Sequence, residues 1–273
     1  MSFSISGKTA IVTGAAHGIG RAVAHHFAEL GANVVYADMD EDALIEEVGD
    51  KALQDDSNVR YFAGDLREKL TIANLLSATI DAFDRIDILV NASRQIVTTD
   101  PLSTEDESLE RMLEQNLMTS YHLSQAVARR MISQAEKEER NEGSNGSNGS
   151  IVNLSSIAHR RTHPDLLAYS VSTAALDQMT RSIAVAFAKH RIRVNTIAFG
   201  SVMSSSLQDA LRADEQVRDE ITDCTPLGRI ASASEVAEAA VFLASEGSGF
   251  ITGQILTVDG GRTLIDPVVK PAH

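Results

Sequence analysis

The chain is short of cysteine and of positive charge, and each shortage removes a class of function. Cys224 is the single cysteine, so no intrachain disulfide can form and nothing calls for an oxidising compartment. A cytoplasmic location is the expectation. Lysine and arginine number 24 against 38 acidic residues, a formal net charge of -14. Such a chain has no basic stripe to displace counterions from phosphates, which argues against nucleic acid and for a small-molecule partner. No run reaches the roughly 18 apolar residues of a membrane span, and the opening MSFSISGKTAIVTG lacks the charged and apolar regions of a leader. No membrane association is expected. The eight histidines show no metal-ligand spacing: His25 and His26 cannot share a helix face, and HExxH is absent. No metal is expected. Cys224 has no evident base partner and reads as a small apolar filler.

What is present is a rhythm. With 273 residues, 43% of them hydrophobic, the chain can bury a substantial core, and a single domain over 1–273 is expected. Short β-branched runs alternate with helical stretches, the βαβ signature of a parallel sheet. Strands are predicted at 9–13, 33–37, 58–62, 86–90, 150–154, 193–197 and 254–258. Several, such as TAIVT and IDILV, are apolar nearly throughout, as strands covered on both faces require. Right-handed crossovers then give an α/β, three-layer Rossmann fold with a doubly wound seven-stranded parallel sheet. The run EKEERNEGSNGSNGS breaks the rhythm, and its composition reads as a flexible surface loop over 136–150.

The first strand runs into Gly14, passes His17, Gly18, Ile19 and Gly20, and opens a helix. Glycines at such a junction let backbone approach a pyrophosphate, and the helix N-terminus offers free N–H groups and a positive dipole end. The spacing is GxxxGxG, so its place between first strand and first helix carries the reading. Asp38 ends the second strand, 18 residues beyond Gly20. A carboxylate there accepts from a ribose diol and repels a 2′-phosphate, selecting NAD over NADP. His17 stands where an arginine would welcome that phosphate. Asp40, Glu41 and Asp42 read as first-turn acids of the second helix.

With these features in place, the sequence resembles the short-chain dehydrogenase/reductase family from Gly7 to about Thr263. The matching motifs are TGAAHGIG at 13–20, Gly64-Asp65-Leu66, VNAS at 90–93, Asn116 in EQNLMTS, IVNLSS at 151–156, YSVST at 169–173 and RVNTIAFG at 193–200. The resemblance implies that Asp65 and Leu66 border the adenine and that Asn91 and Ala92 line the cofactor. It implies that Gly200, Val202 and Ser204 receive the carboxamide and pyrophosphate. Ser156, 13 residues before Tyr169, would hold the substrate oxygen; Tyr169 would trade a proton with it and touch the cofactor; Asn116 would order a proton-relay water. Hydride leaves or joins carbon only if a neighbouring group balances the charge growing on oxygen.

Three positions depart from that family's pattern. The lysine four residues after the tyrosine, which holds the nicotinamide ribose and supplies charge, is Thr173. Acid–base assistance is worth about 10²- to 10⁴-fold, so a large loss of rate is the expectation, with binding surviving better than catalysis. The usual proline before Gly200 is Phe199, and the glycine of Asn-Ala-Gly is Ser93. His159, Arg160, Arg161 and His163 read as solvated loop residues. A polar helical segment over 203–225 occupies the place of the family's substrate lid. The resemblance implies NAD(H)-dependent hydride transfer to or from a secondary alcohol or ketone, as in 3-oxoacyl-carrier-protein reductases and hydroxysteroid or sugar-alcohol dehydrogenases, in a homotetramer or dimer. The alternative is a catalytically impaired NAD-binding relative serving as sensor or partner subunit.

Overall fold

The structure, a computed structural model, describes residues 3–138, 146–203, 207–208, 211–212, 214 and 216–266. Its strands are β1 (Thr9–Thr13), β2 (Asn33–Asp38), β3 (Val59–Ala63), β4 (Ile88–Asn91), β5 (Gly149–Ser156), β6 (Ile192–Phe199) and β7 (Ile255–Val258). All pair in parallel, in the order β3-β2-β1-β4-β5-β6-β7. The sequence reverses direction across the sheet between β1 and β4, which opens a crevice at their carboxyl ends where ligands of such sheets bind.

Each inner strand is apolar on both sides because helices cover both faces. Along β1, Ala10 and Val12 face the layer of α1 (Gly18–Glu29) and α8 (Ala233–Ala244), joining Val23, Phe27, Val236 and Ala240. Ile11 between them points the other way, to Leu75 of α3 (Lys69–Phe83), Val127 of α5 (Thr119–Lys137) and Ile183 of α6 (Leu167–Ala188). The period of two fixes the register, since a one-residue slip would exchange the two faces. α2 (Glu41–Ala52) lies beside β2 and β3, and α7 (Gln216–Asp223) follows β6.

The helix after β4 begins at Ser108, where Asp106 Oδ1 accepts from the Ser108 amide at 2.8 Å and closes a turn ahead of it. It runs as α4 (Ser108–Met112), widens into a π turn (Leu113–Met118) and resumes as α5. The 136–150 loop is shorter than its composition suggests. α5 extends to Lys137 and β5 starts at Gly149, with the Asn148 side chain donating to His190 O at 2.9 Å; residues 139–145 lie outside the described residues.

Candidate active site

The crevice begins where β1 ends. Gly14 has a φ of +65°, and a Cβ there would sit 2.9 Å from the Ala92 carbonyl carbon at the end of β4. Gly18 also has positive φ, at +53°, while a Cβ on Gly20 would lie 2.1 Å from Gly14 O. The first and third glycines are thus required by close approach, and α1 opens directly onto the turn with His17 as its N-cap. Ile19 is buried and reaches the deeper end of the crevice. A turn that admits no Cβ at Gly14 or Gly20, set at a helix N-terminus, fits a dinucleotide pyrophosphate.

Asp38 closes the same end. Its Oδ2 accepts from the Ala16 amide at 3.1 Å, and its Oδ1 from the amides of Met39 at 2.7 Å and Asp40 at 3.2 Å. The carboxylate therefore braces the glycine turn, and Oδ2 keeps a lone pair for a ribose hydroxyl. Asp65 and Leu66 border this space with Gly14, Asp38 and Ser93. The Asp65 carboxylate is gripped by Arg67 at 2.6 Å, which holds it below the usual carboxylate range. His17 Nε2 meets Asp40 Oδ2 at 2.8 Å, and Asp40 also caps α2 through the Ala43 amide. Its helix-capping role is therefore visible directly. Arg21 reaches Glu47 at 3.3 Å.

Asn91 is buried, and its amide donates to Ser124 Oγ at 3.1 Å and Asn153 Oδ1 at 2.7 Å. What it and Ala92 can offer a cofactor is backbone, held in place by Thr13 Oγ1, which accepts from the Ala92 and Ser93 amides at 3.0 Å.

The catalytic candidates meet at the other end. Ser156, the last residue of β5, and Tyr169, on the first turn of α6, line one cleft of about 440 Å³ with Ile19, Phe199, Gly200 and Val202. β5 and β6 stay paired out to Ser156 and Phe199, which carries both residues to the cleft floor. Ser156 Oγ accepts from the Ala158 amide at 3.1 Å, so its own proton is free for a substrate oxygen. Leu207, from the segment expected as a lid, also borders the cleft; Ser204 lies outside the described residues.

Asn116 sits in the π turn, and its side chain is fully engaged as a donor. Nδ2 donates to Gln95 O at 3.0 Å and Ser172 Oγ at 3.1 Å, and Oδ1 accepts from the Gln95 amide at 2.8 Å. It pins the loop after β4 to α6, leaving one acceptor lone pair for any water. Thr173 is buried, with its hydroxyl 3.0 Å from both Tyr169 O and Ser170 O. That proton is committed to the helix itself, and the residue does not line the cleft.

Two expectations need correction. His159 is not a solvated loop residue: its side chain is 12% exposed, with Nδ1 2.6 Å from Ser156 O and 3.2 Å from Asp177 Oδ2. Burial pushes the Asp177 carboxyl up, against the pull of the His159 ring. The pair braces the end of β5 from behind, and the local sequence gave no hint of Asp177, a full turn beyond Thr173. Cys224 is exposed rather than a filler, because α7 carries no buried residue.

One residue of the cleft has no place in the sequence reading. Arg94, just after VNAS, donates from Nη1 to the Tyr169 hydroxyl oxygen at 2.7 Å, and its guanidinium carbon stands 4.2 Å from the Phe199 ring centroid. The available signal was a cation directly after the β4 motif in a chain that lacks the expected lysine.

A family model described as Enoyl-(Acyl carrier protein) reductase matches residues 14–263. An L-fucose dehydrogenase of Mus musculus is 32% identical over 95% of this chain and 89% of its own length. An NAD-dependent glycerol dehydrogenase of Listeria innocua is 32% identical over 96% of each. Among solved structures, a short-chain type dehydrogenase/reductase from Mycobacterium ulcerans superposes with a TM-score of 0.84 at 29% identity, covering 96% of this chain and 91% of that one. Extent of match, sheet order and the crevice at the β1/β4 switch agree, and the chain belongs to the short-chain dehydrogenase/reductase family of oxidoreductases.

Proposed function

We propose that this oxidoreductase uses NAD(H) and interconverts a secondary alcohol and a ketone, with a polyol or sugar as the substrate. The observation that carries the reading is the joining of Ser156 and Tyr169 in one cleft that also takes in Ile19 of the glycine turn. A bound nicotinamide dinucleotide supplies or accepts the hydride. Ser156 donates to the substrate oxygen and Tyr169 moves the proton: in oxidation the alcohol O–H proton passes to Tyr169 as the hydride leaves carbon, and in reduction both steps reverse.

Asp38 supports NAD over NADP. The cations at this end are each engaged by a carboxylate, Arg67 by Asp65 and Arg21 by Glu47, so a 2′-phosphate would meet Asp38 without a counter-charge. The chain's similarity to an L-fucose dehydrogenase and a glycerol dehydrogenase favours a polyhydroxylated substrate. Exposed Val171 and Val185 on α6 support assembly into a homotetramer or dimer, and the free cysteine is in keeping with a cytoplasmic location. One observation favours the impaired reading: Thr173 is buried and brings no charge.

Fluorescence titration of NADH and NADPH, followed by a panel of polyols and sugars, tests both readings. NADH is expected to bind at least about tenfold more tightly, the worth of roughly one well-placed charge interaction. Tyr169→Phe is expected to cut turnover by about 10²- to 10⁴-fold while NADH affinity holds. Tighter NADPH binding overturns the Asp38 argument, and NADH binding without turnover on any alcohol or ketone favours the impaired relative.

A further inference from the structure

We propose that Arg94 replaces the missing lysine, delivering from the loop after β4 the positive charge that the family brings from α6. The inference rests on the reading of Tyr169 as the proton-transfer group. A guanidinium has only donors, so in the 2.7 Å contact the Tyr169 oxygen must accept. The phenol proton is then turned away from Arg94 and toward the cleft, where a substrate oxygen would lie. A positive charge and a donor at that oxygen both favour the anion a departing proton leaves behind.

Arg94 is held for this task. Its guanidinium lies over the Phe199 ring, 4.2 Å from the centroid, a geometry that attracts a cation to the ring face. Nη1 also approaches Ser155 O at 3.5 Å. The backbone next to it is clamped by the Asn116 amide, which binds both the N–H and the C=O of Gln95. Among the described residues no carboxylate pairs with Arg94, so its charge is not cancelled before it reaches Tyr169. Lysine to Thr173 and proline to Phe199 thereby become one rearrangement: the charge leaves the helix face at Thr173, and an aromatic shelf at the end of β6 supports its return from the opposite wall. Arg94 acts through Tyr169 and is a positioning residue.

Arg94→Met keeps the length of the side chain and removes the charge. The alkaline-favoured limb of kcat/KM for oxidation is expected to lie at higher pH in Arg94→Met than in the unaltered protein, and the Tyr169 ring ¹³Cζ resonance, assigned by its loss in Tyr169→Phe, is expected to move when the hydrogen bond from Arg94 is removed. Turnover is expected to fall about 10²-fold or more, to return in large part in Arg94→Lys, and to gain more from Thr173→Lys in the Arg94→Met background than in the unaltered protein. A rise in KM alone, with kcat and the pH profile fixed, assigns Arg94 to substrate binding and overturns the proposal. So does a Tyr169 resonance that Arg94→Met leaves in place. The resonance is read without cofactor or substrate, so failure of the dehydrogenase reading and failure of the Arg94 role are told apart.

Discussion

A single methyl group separates the two ways in which glycine serves the cofactor turn. At Gly20 a Cβ would lie 2.1 Å from Gly14 O, a backbone atom that cannot step aside without opening the turn. At Gly18 nothing lies within 4 Å of the added carbon, and the cost is the positive φ of +53° alone. Gly20→Ala is therefore expected to destabilise by about 1–3 kcal/mol, as overpacking does, and to weaken NADH binding at least tenfold as the turn shifts, on the order of 1.4 kcal/mol. Gly18→Ala should cost about 1–2 kcal/mol through its left-handed backbone and change NADH binding less. Urea unfolding and NADH titration on both variants check the contrast; equal effects on binding would remove the argument from close approach. This distinction was only half legible in the sequence. Motif spacing marked the turn, Asp38, Ser156 and Tyr169 as candidates, because those readings depend only on chain order along β1, β2, β5 and α6. Arg94 was not legible, since its role depends on meeting Tyr169 across 75 positions of sequence. Phe199 stood out as a departure, but what it supports became visible only once the guanidinium was seen above it.

At the scale of the element, the charges at the start of α8 set an expected pH dependence. Glu235 accepts from the Ser232 amide at 2.9 Å and from Arg229 through both oxygens at 2.7 Å. These contacts, the Arg229 guanidinium first, hold its carboxyl at about 2. A depressed carboxylate adds stability that is whole above the ordinary value of 4.5 and is lost as pH falls through about 2. The group is exposed, so screening keeps the contribution modest. Glu235→Gln is thus expected to be less stable than the unaltered protein at pH 7, with the gap closing as pH is lowered toward about 2. Denaturant midpoints of the two proteins across that range measure it, and a gap that stays constant would mean the charge is not the source. The strands themselves were well marked: β1 falls on the expected 9–13, because an apolar run bounded by a glycine turn admits few readings. β5 and β6 run two residues beyond the expected 154 and 197, to Ser156 and Phe199, because their pairing with each other continues residue by residue to those positions. The π turn left no local signal, and widening there serves contacts that Asn116 makes with Gln95 and Ser172, distant in sequence.

Across the whole molecule, the cofactor crevice straddles the halves of the sheet. The ends of β1 and β2 provide the glycine turn and Asp38, while the ends of β4, β5 and β6 provide Ser93, Ser156 and Gly200. Gly14 lies so close to the end of β4 that a Cβ would collide with Ala92, and β1 pairs with both β2 and β4, so neither half can open without disturbing the other. Unfolding is therefore expected as one transition, and ligand binding should move all of it. NADH at about 100 times its Kd adds roughly 2.7 kcal/mol to the folded state, which for a chain of this size corresponds to a Tm rise of about 5–10 °C. Calorimetry with and without NADH gives the outcome. A single peak that shifts as a unit fits a crevice shared by both halves. Two peaks, with only the earlier one moved by NADH, would mean that β1–β3 bind the nucleotide as an independent unit and that the close approach of Gly14 to β4 carries no cooperativity.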